Sequence, residues 1–154
     1  MNISIGSDHA GFHLKSEILD FLAESGYTYS DKGCFSTDRF DCVYLARLVC
    51  QDIVDGKAQR GIMVCGSGAG AAIACNKIPG IRASVCHDIY TAHQCVEHDH
   101  VNVICLGAQI IGLKIAQEML TSFLHAVPST DEFFVQRIRD MDALERGYAP
   151  IKDN

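Results

Sequence analysis

The chain has 154 residues, with 13 Lys and Arg against 19 Asp and Glu for a net charge of −6; that length fits one domain with a real core, and the acidic balance argues against a general nucleic-acid surface. Hydrophobic residues make up 48%, yet no stretch approaches the ~18 consecutive apolar residues of a membrane span. Met1-Asn2-Ile3-Ser4-Ile5 lacks the basic-then-apolar order of a signal peptide, so a cytoplasmic protein with no membrane or nucleic-acid partner is expected.

Apolar runs alternate with helix-period segments along the whole chain. Asn2 to Gly6 reads as a strand. From Gly11 to Ser25 the residues Leu14, Ile18, Phe21 and Leu22 share one helical face, and Gly26 closes the helix. Tyr27 to Ser30 is a weak strand and Gly33 to Asp41 a polar loop. Val43 to Val54 is a helix ended by Gly56. Ile62 to Cys65 is the third strand, Ala71 to Asn76 a helix, and Ile81 to Cys86 the fourth strand. Tyr90 to Glu97 is a helix, Val101 to Leu106 the fifth strand, and Leu113 to Ala126 a longer helix. After Pro128 an amphipathic helix covers Asp131 to Arg146. There are no internal repeats, low-complexity runs or linkers. Five strands alternating with helices predict a single three-layer, Rossmann-like α/β domain over 1–154 with a mainly parallel sheet.

Ligands of such sheets bind at the carboxyl ends of the strands. That edge carries Asp8 and His9, then Cys65 to Gly70, then His87 and Asp88, then Gly107. Residues 61–80, GIMVCGSGAGAAIACNKIPG, hold the strongest signal. A strand ends at Cys65, and Gly66, Ser67, Gly68, Ala69 and Gly70 lead into an Ala-rich stretch. Glycines let the chain turn tightly and bring bare N–H groups close to an oxygen-rich ligand. Such a field also favours an anionic sulfur. Taken alone, the segment is equally compatible with an ordinary strand-to-helix turn around a buried Cys. Its spacing matches neither the dinucleotide fingerprint nor a phosphate loop ending in Gly-Lys-Ser/Thr.

The eight cysteines include no C-x-x-C pair and follow no secretory signal, which disfavours a disulfide framework or a zinc ribbon. Cys50, Cys86 and Cys105 sit in apolar runs and read as small buried hydrophobes. The seven histidines form neither H-x-x-x-H nor H-E-x-x-H, so no metal and no cofactor is expected. Asp8-His9 fits a helix cap as well as a ligand pair, and His98, Asp99 and His100 fit a helix C-terminus.

In order, Gly6-Ser7-Asp8-His9-Ala10-Gly11, Cys65-Gly66-Ser67-Gly68-Ala69-Gly70, Asn76-Lys77 with Pro79-Gly80-Ile81-Arg82-Ala83, and His98 with Asn102-Val103 and Leu106-Gly107 resemble one family. It is the ribose-5-phosphate isomerase B and galactose-6-phosphate isomerase family, and the match runs from residue 2 to about 142. The resemblance implies a metal-free aldose–ketose isomerase of phosphosugars, acting as a homodimer or a tetramer with its sites between subunits. The last helix, carrying Arg137, would pack on the partner. Ala71 stands where other members carry a glutamate base, which implies the cysteine subgroup. Cys65 would then move the proton between C1 and C2. The amides of Gly66 to Gly70 would steady the enediolate and Ser67 would hydrogen-bond the sugar. His98, or His9, would open the furanose ring, and Asp8 and His9 would hold hydroxyls or phosphate.

Four positions depart from the cysteine subgroup: Cys42, Asp99, Gln109 and Phe133 stand where Tyr, Asn, Arg and Arg are usual. The last two, with the retained Arg137, are associated with the phosphate. The chemistry therefore looks intact and the phosphate clamp altered. Ribose 5-phosphate and ribulose 5-phosphate are the leading substrates. The same reaction on a tetrose phosphate, a hexose phosphate or an unphosphorylated sugar is the alternative, as is a weakly active sugar-phosphate-binding subunit.

Overall fold

The computed structural model describes residues 1–147, so residues 148–154 of the expected 1–154 domain lie outside the described residues. The elements run β1 (Asn2–Ser7), α1 (Phe12–Glu24), β2 (Thr28–Asp31), α2 (Cys42–Val54), β3 (Arg60–Cys65), α3 (Ala69–Cys75), β4 (Ala83–Val85), α4 (Ile89–Asp99), β5 (Val103–Gly107), α5 (Leu113–His125) and α6 (Glu132–Glu145). The five strands lie in the order β2-β1-β3-β5-β4, and all four pairings are parallel. The expected α/β class and parallel sheet are thus present.

Alternation along the central strands splits the core into two layers. Ile62 and Val64 of β3 pack with Ile3, Ile5 and residues of α1, α4 and α5 on one face. Met63 and Cys65 face α2 and α3 on the other, among Leu45, Val49, Cys50, Ala71 and Cys75. Both faces are covered, which is why the strands read as unbroken apolar runs. Cys65 therefore points toward the α2–α3 layer.

Strand β4 is shorter than the expected Ile81 to Cys86. Side chains replace the ladder at its start: Arg82 N–H donates to Asn102 Oδ1 at 2.9 Å, while Ala83 exchanges two 2.8 Å bonds with the Asn76 amide. Helix α4 is longer than expected at both ends. Asp88 caps it by accepting from Thr91 N–H at 2.7 Å, and His100 closes it with φ of 51°. The weak edge strand β2 is tied down by charge. Lys15, 1% exposed, meets Asp31 at 2.6 Å, and Lys32 meets Asp52 at 2.6 Å. Ser4 Oγ also donates to Asp52 Oδ2, at 2.9 Å.

Gly11, at the start of α1, lies hard against the end of β3. A Cβ there would stand 2.3 Å from Val64 O, a backbone atom that cannot move aside. Gly11→Ala is expected to lower unfolding free energy by about 1–3 kcal/mol, the usual cost of overpacking. Urea unfolding of the variant checks this, and an unchanged midpoint would contradict it.

Candidate active site

The reversal of strand order between β1 and β3 opens a crevice at the carboxyl edge, the usual ligand position in open α/β sheets. Strand β3 ends there at Cys65, and the chain turns through Gly66, Ser67 and Gly68 into α3. Gly68 adopts φ of 80°, a left-handed conformation that suits glycine, and caps α3. Its N–H donates to Cys65 Sγ at 3.0 Å. Gly68 thus serves the sulfur, which revises the expectation that all the loop amides face the sugar. The Ala69 N–H is taken up by Ser67 Oγ at 3.3 Å. The amides of Gly66, Ser67 and Gly70 have no acceptor among the described residues. Ser67, Ala69 and Gly70 are exposed, whereas Cys65 is buried.

The loop is held from beside it. Ala108 N–H donates to Cys65 O at 2.8 Å and Gln109 N–H to Gly66 O at 3.0 Å. The Gln109 side chain lies over Gly66, its Oε1 3.4 Å from where a Cβ would stand. Asp8 and His9 follow β1 on the same edge. Asp8 Oδ1 accepts from Gly11 N–H at 2.9 Å, and His9 Nδ1 lies 3.1 Å from Phe40 O. A cleft of about 470 Å³ is lined by these two with Arg39, Phe40, Asp41 and Cys42. Cys42 Sγ stands 3.8 Å from the position a Gly70 Cβ would take. Burial, reinforced by Cys65, Asp41 and Asp8, pushes the Cys42 thiol up, so it stays protonated.

The other cysteines behave as core residues. None of the eight is in a disulfide. The hydrogen bond to Cys75, then burial, pushes the Cys50 thiol up, and the bond to Cys105 does most to raise Cys75. Among the described residues no group of three or more His, Cys, Asp or Glu is placed to hold a metal ion, and no helix is long and apolar enough to cross a membrane.

His98, Asp99 and Arg137 lie elsewhere. Helix α4 starts at the carboxyl edge and its 11 residues run back across the sheet, about 16 Å at 1.5 Å per residue. His98 therefore sits at the amino edge, near Asn102, whose carbonyl accepts from Gly61 N–H at the start of β3. From Gly61 to Cys65 alone is about 13 Å at 3.3 Å per strand residue. There the His98 ring stacks on Phe134, centroids 3.9 Å apart and 8° from parallel. Gln94 Nε2 lies 2.8 Å from His98 Nδ1. Arg137 of α6 donates to Asp99 Oδ1 at 3.0 Å, its guanidinium 5.4 Å from the Phe133 ring and 5.3 Å from the Phe134 ring. Helix α6, expected on a partner, thus also packs on α4 of its own chain.

One chain accordingly presents two groups of candidate residues on opposite edges. The first gathers Asp8, His9, Cys65, Gly66, Ser67, Gly68, Ala69 and Gly70, and the second gathers His98, Asp99 and Arg137. The family described as Ribose/Galactose Isomerase matches residues 3–141. Ribose-5-phosphate isomerase B of Escherichia coli is 40% identical over 124 residues, 80% of this chain and 83% of that one. D-erythrulose-4-phosphate isomerase of Pectobacterium atrosepticum is 40% identical over 128 residues, 82% and 84% of the two chains. The solved structure of Clostridium thermocellum ribose-5-phosphate isomerase B superposes with a TM-score of 0.93 at 37% identity, covering 97% of this chain and 100% of that one.

Proposed function

The chain belongs to the ribose/galactose isomerase family, and from that premise we propose that it interconverts ribose 5-phosphate and ribulose 5-phosphate through an enediolate. The observation that carries this reading is Cys65 Sγ, which accepts the Gly68 amide at 3.0 Å beside the unclaimed amides of Gly66, Ser67 and Gly70. Cys65 takes the proton from C2 of the open aldose and returns it to C1, while the hydroxyl proton of O2 passes to O1, so that the C1 carbonyl becomes a hydroxyl and C2 the carbonyl. The negative charge that develops on O1 and O2 meets those amides, donors fixed before the reaction begins. Ser67 supplies a hydroxyl to the sugar, and Asp8 and His9 hold its remaining hydroxyls. No metal and no cofactor takes part in this scheme.

Ring opening is assigned to His98 of a second copy. A five-carbon sugar cannot bridge the ~13 Å or more between the two edges of one sheet, so a homodimer with sites between subunits is the arrangement that uses both groups. Asp99 and Arg137 of the second copy then approach the phosphate end. Residues Phe133 and Leu144 of α6 are 68% and 61% exposed, which leaves that helix free to contact a partner.

One observation favours a second reading, the same chemistry on another sugar such as a tetrose phosphate, a hexose phosphate or an unphosphorylated aldose. Asp99 already neutralises Arg137, at 3.0 Å, and a claimed guanidinium has less to offer a dianion. A coupled assay over a panel of aldose phosphates and free aldoses separates the readings. Ribose 5-phosphate is expected to give the highest kcat/KM. Asp99→Asn should lower its KM about tenfold, because a hydrogen bond to a charged group contributes about 1.5–3 kcal/mol. A tetrose phosphate or a free aldose turned over faster would overturn the first reading in favour of the second.

A further inference from the structure

Histidine 87 follows β4 at the carboxyl edge and takes no part in the chemistry above. Its Nε2 accepts the Gly107 N–H at 3.0 Å. A backbone N–H can only donate, so Nε2 is the accepting nitrogen of this contact. Gly107 is a well-connected residue. It is the register partner of Cys65 across β3 and β5, and the residue after it, Ala108, donates to Cys65 O at 2.8 Å. A Cβ at Gly107 would stand 2.8 Å from His87 Nε2 and 2.9 Å from the Ser67 carbonyl carbon. The imidazole and the glycine loop therefore both pack on the Gly107 backbone, with the Ile110 side chain, whose Cγ1 is also 2.8 Å from that Cβ position, beside them.

Strand β4 is a three-residue edge strand, and its ladder ends before Cys86 joins β5 through a single bond to Cys105 O at 3.2 Å. Beyond that point β5 keeps its pairing with β3 through Leu106 and Gly107, but its β4 side has no strand partner. On that side the His87 ring claims the amide of Gly107, which lies next to the residues that hold the Cys65 and Gly66 carbonyls.

We infer that His87 is a positioning residue, bracing the carboxyl end of β5 and through it the loop that carries Cys65 and Ser67. It acts through Gly107 and touches no reacting atom. The inference rests on the isomerase reading only for its catalytic consequence. The contact itself is read without substrate.

The test compares His87→Ala with His87→Gln, whose side-chain oxygen reaches about as far as Nε2 and can accept the same N–H. Displacement of a reacting group by about 1 Å is enough to cost ~10²-fold. In His87→Ala, kcat should fall about 10–100-fold with KM nearly unchanged, and the Gly107 amide should lose its protection from hydrogen exchange. His87→Gln should restore both, to within about threefold of the native rate. Melting temperatures of both variants show whether each is folded. Overturning results are a Gln variant as slow as the Ala variant, a KM increase in place of the kcat loss, or Gly107 protection unchanged in His87→Ala. Failure of the isomerase reading itself shows differently, as no turnover of any aldose or aldose phosphate by the native protein, with Gly107 exchange still reporting on His87.

Discussion

Cys65→Ala is expected to lower kcat by 10²–10⁴-fold or more, with the fold intact. General acid–base catalysis contributes roughly that much, and the position six residues on, where a carboxylate could act, is Ala71. Among the described residues Asp8 is the only acid that both lines the cleft and follows the neighbouring strand β1, and its Oδ1 is committed to the Gly11 amide at 2.9 Å. Cys42, the nearby thiol, is held protonated by burial and by the negative groups around it. Neither replaces a sulfur that stands at the turn and accepts the Gly68 amide. KM should change little, because the sulfur acts on a C–H proton and not on a group that binds the ground state. Single-turnover assays with ribose 5-phosphate measure the effect. A variant within tenfold of the native rate would move the base to Asp8.

The architecture was legible because its signals are local. The unbroken apolar run of Ile62, Met63 and Val64, and the helical spacing of Leu14, Ile18 and Leu22, are enough to predict a covered parallel sheet. The ends of β4 were not legible, since Asn76 and Asn102 side chains take over bonds that a strand would make, and neither asparagine announces this in the sequence. The turn from Cys65 into α3 was legible from the glycine spacing. The separation of His98 from Cys65 was available in principle: a crossover helix that starts at the carboxyl edge must end at the amino edge, and His98 ends such a helix. The His87–Gly107 bond was not, although both residues were placed on the right edge. The spacing of 20 positions between them carries no pattern, and only the β5–β4 adjacency brings them together.

His98→Asn is the second large effect. Ribose 5-phosphate enters as a closed furanose, and its opening needs a proton carrier at the anomeric hydroxyl. Asparagine keeps the size and a donor but cannot exchange a proton, so turnover of ribose 5-phosphate should fall about 10²–10⁴-fold. Ribulose 5-phosphate, which has no such ring to open, should bind with affinity within about threefold of native. Equal loss of affinity for both sugars would make His98 a binding residue instead.

The same two variants give the most direct test of a site shared between two copies. In a mixed dimer of Cys65→Ala and His98→Asn chains, one site pairs the intact Cys65 of one chain with the intact His98 of the other, and the second site carries both lesions. Equal amounts of the two inactive proteins, unfolded together and refolded, should regain about a quarter of native activity, since half of the dimers are mixed and each has one working site. Recovery to that level, growing with time of subunit exchange, is the result the account predicts. No recovery above the sum of the two separate variants, from a mixture shown by mass spectrometry to contain the mixed dimer, would contradict it.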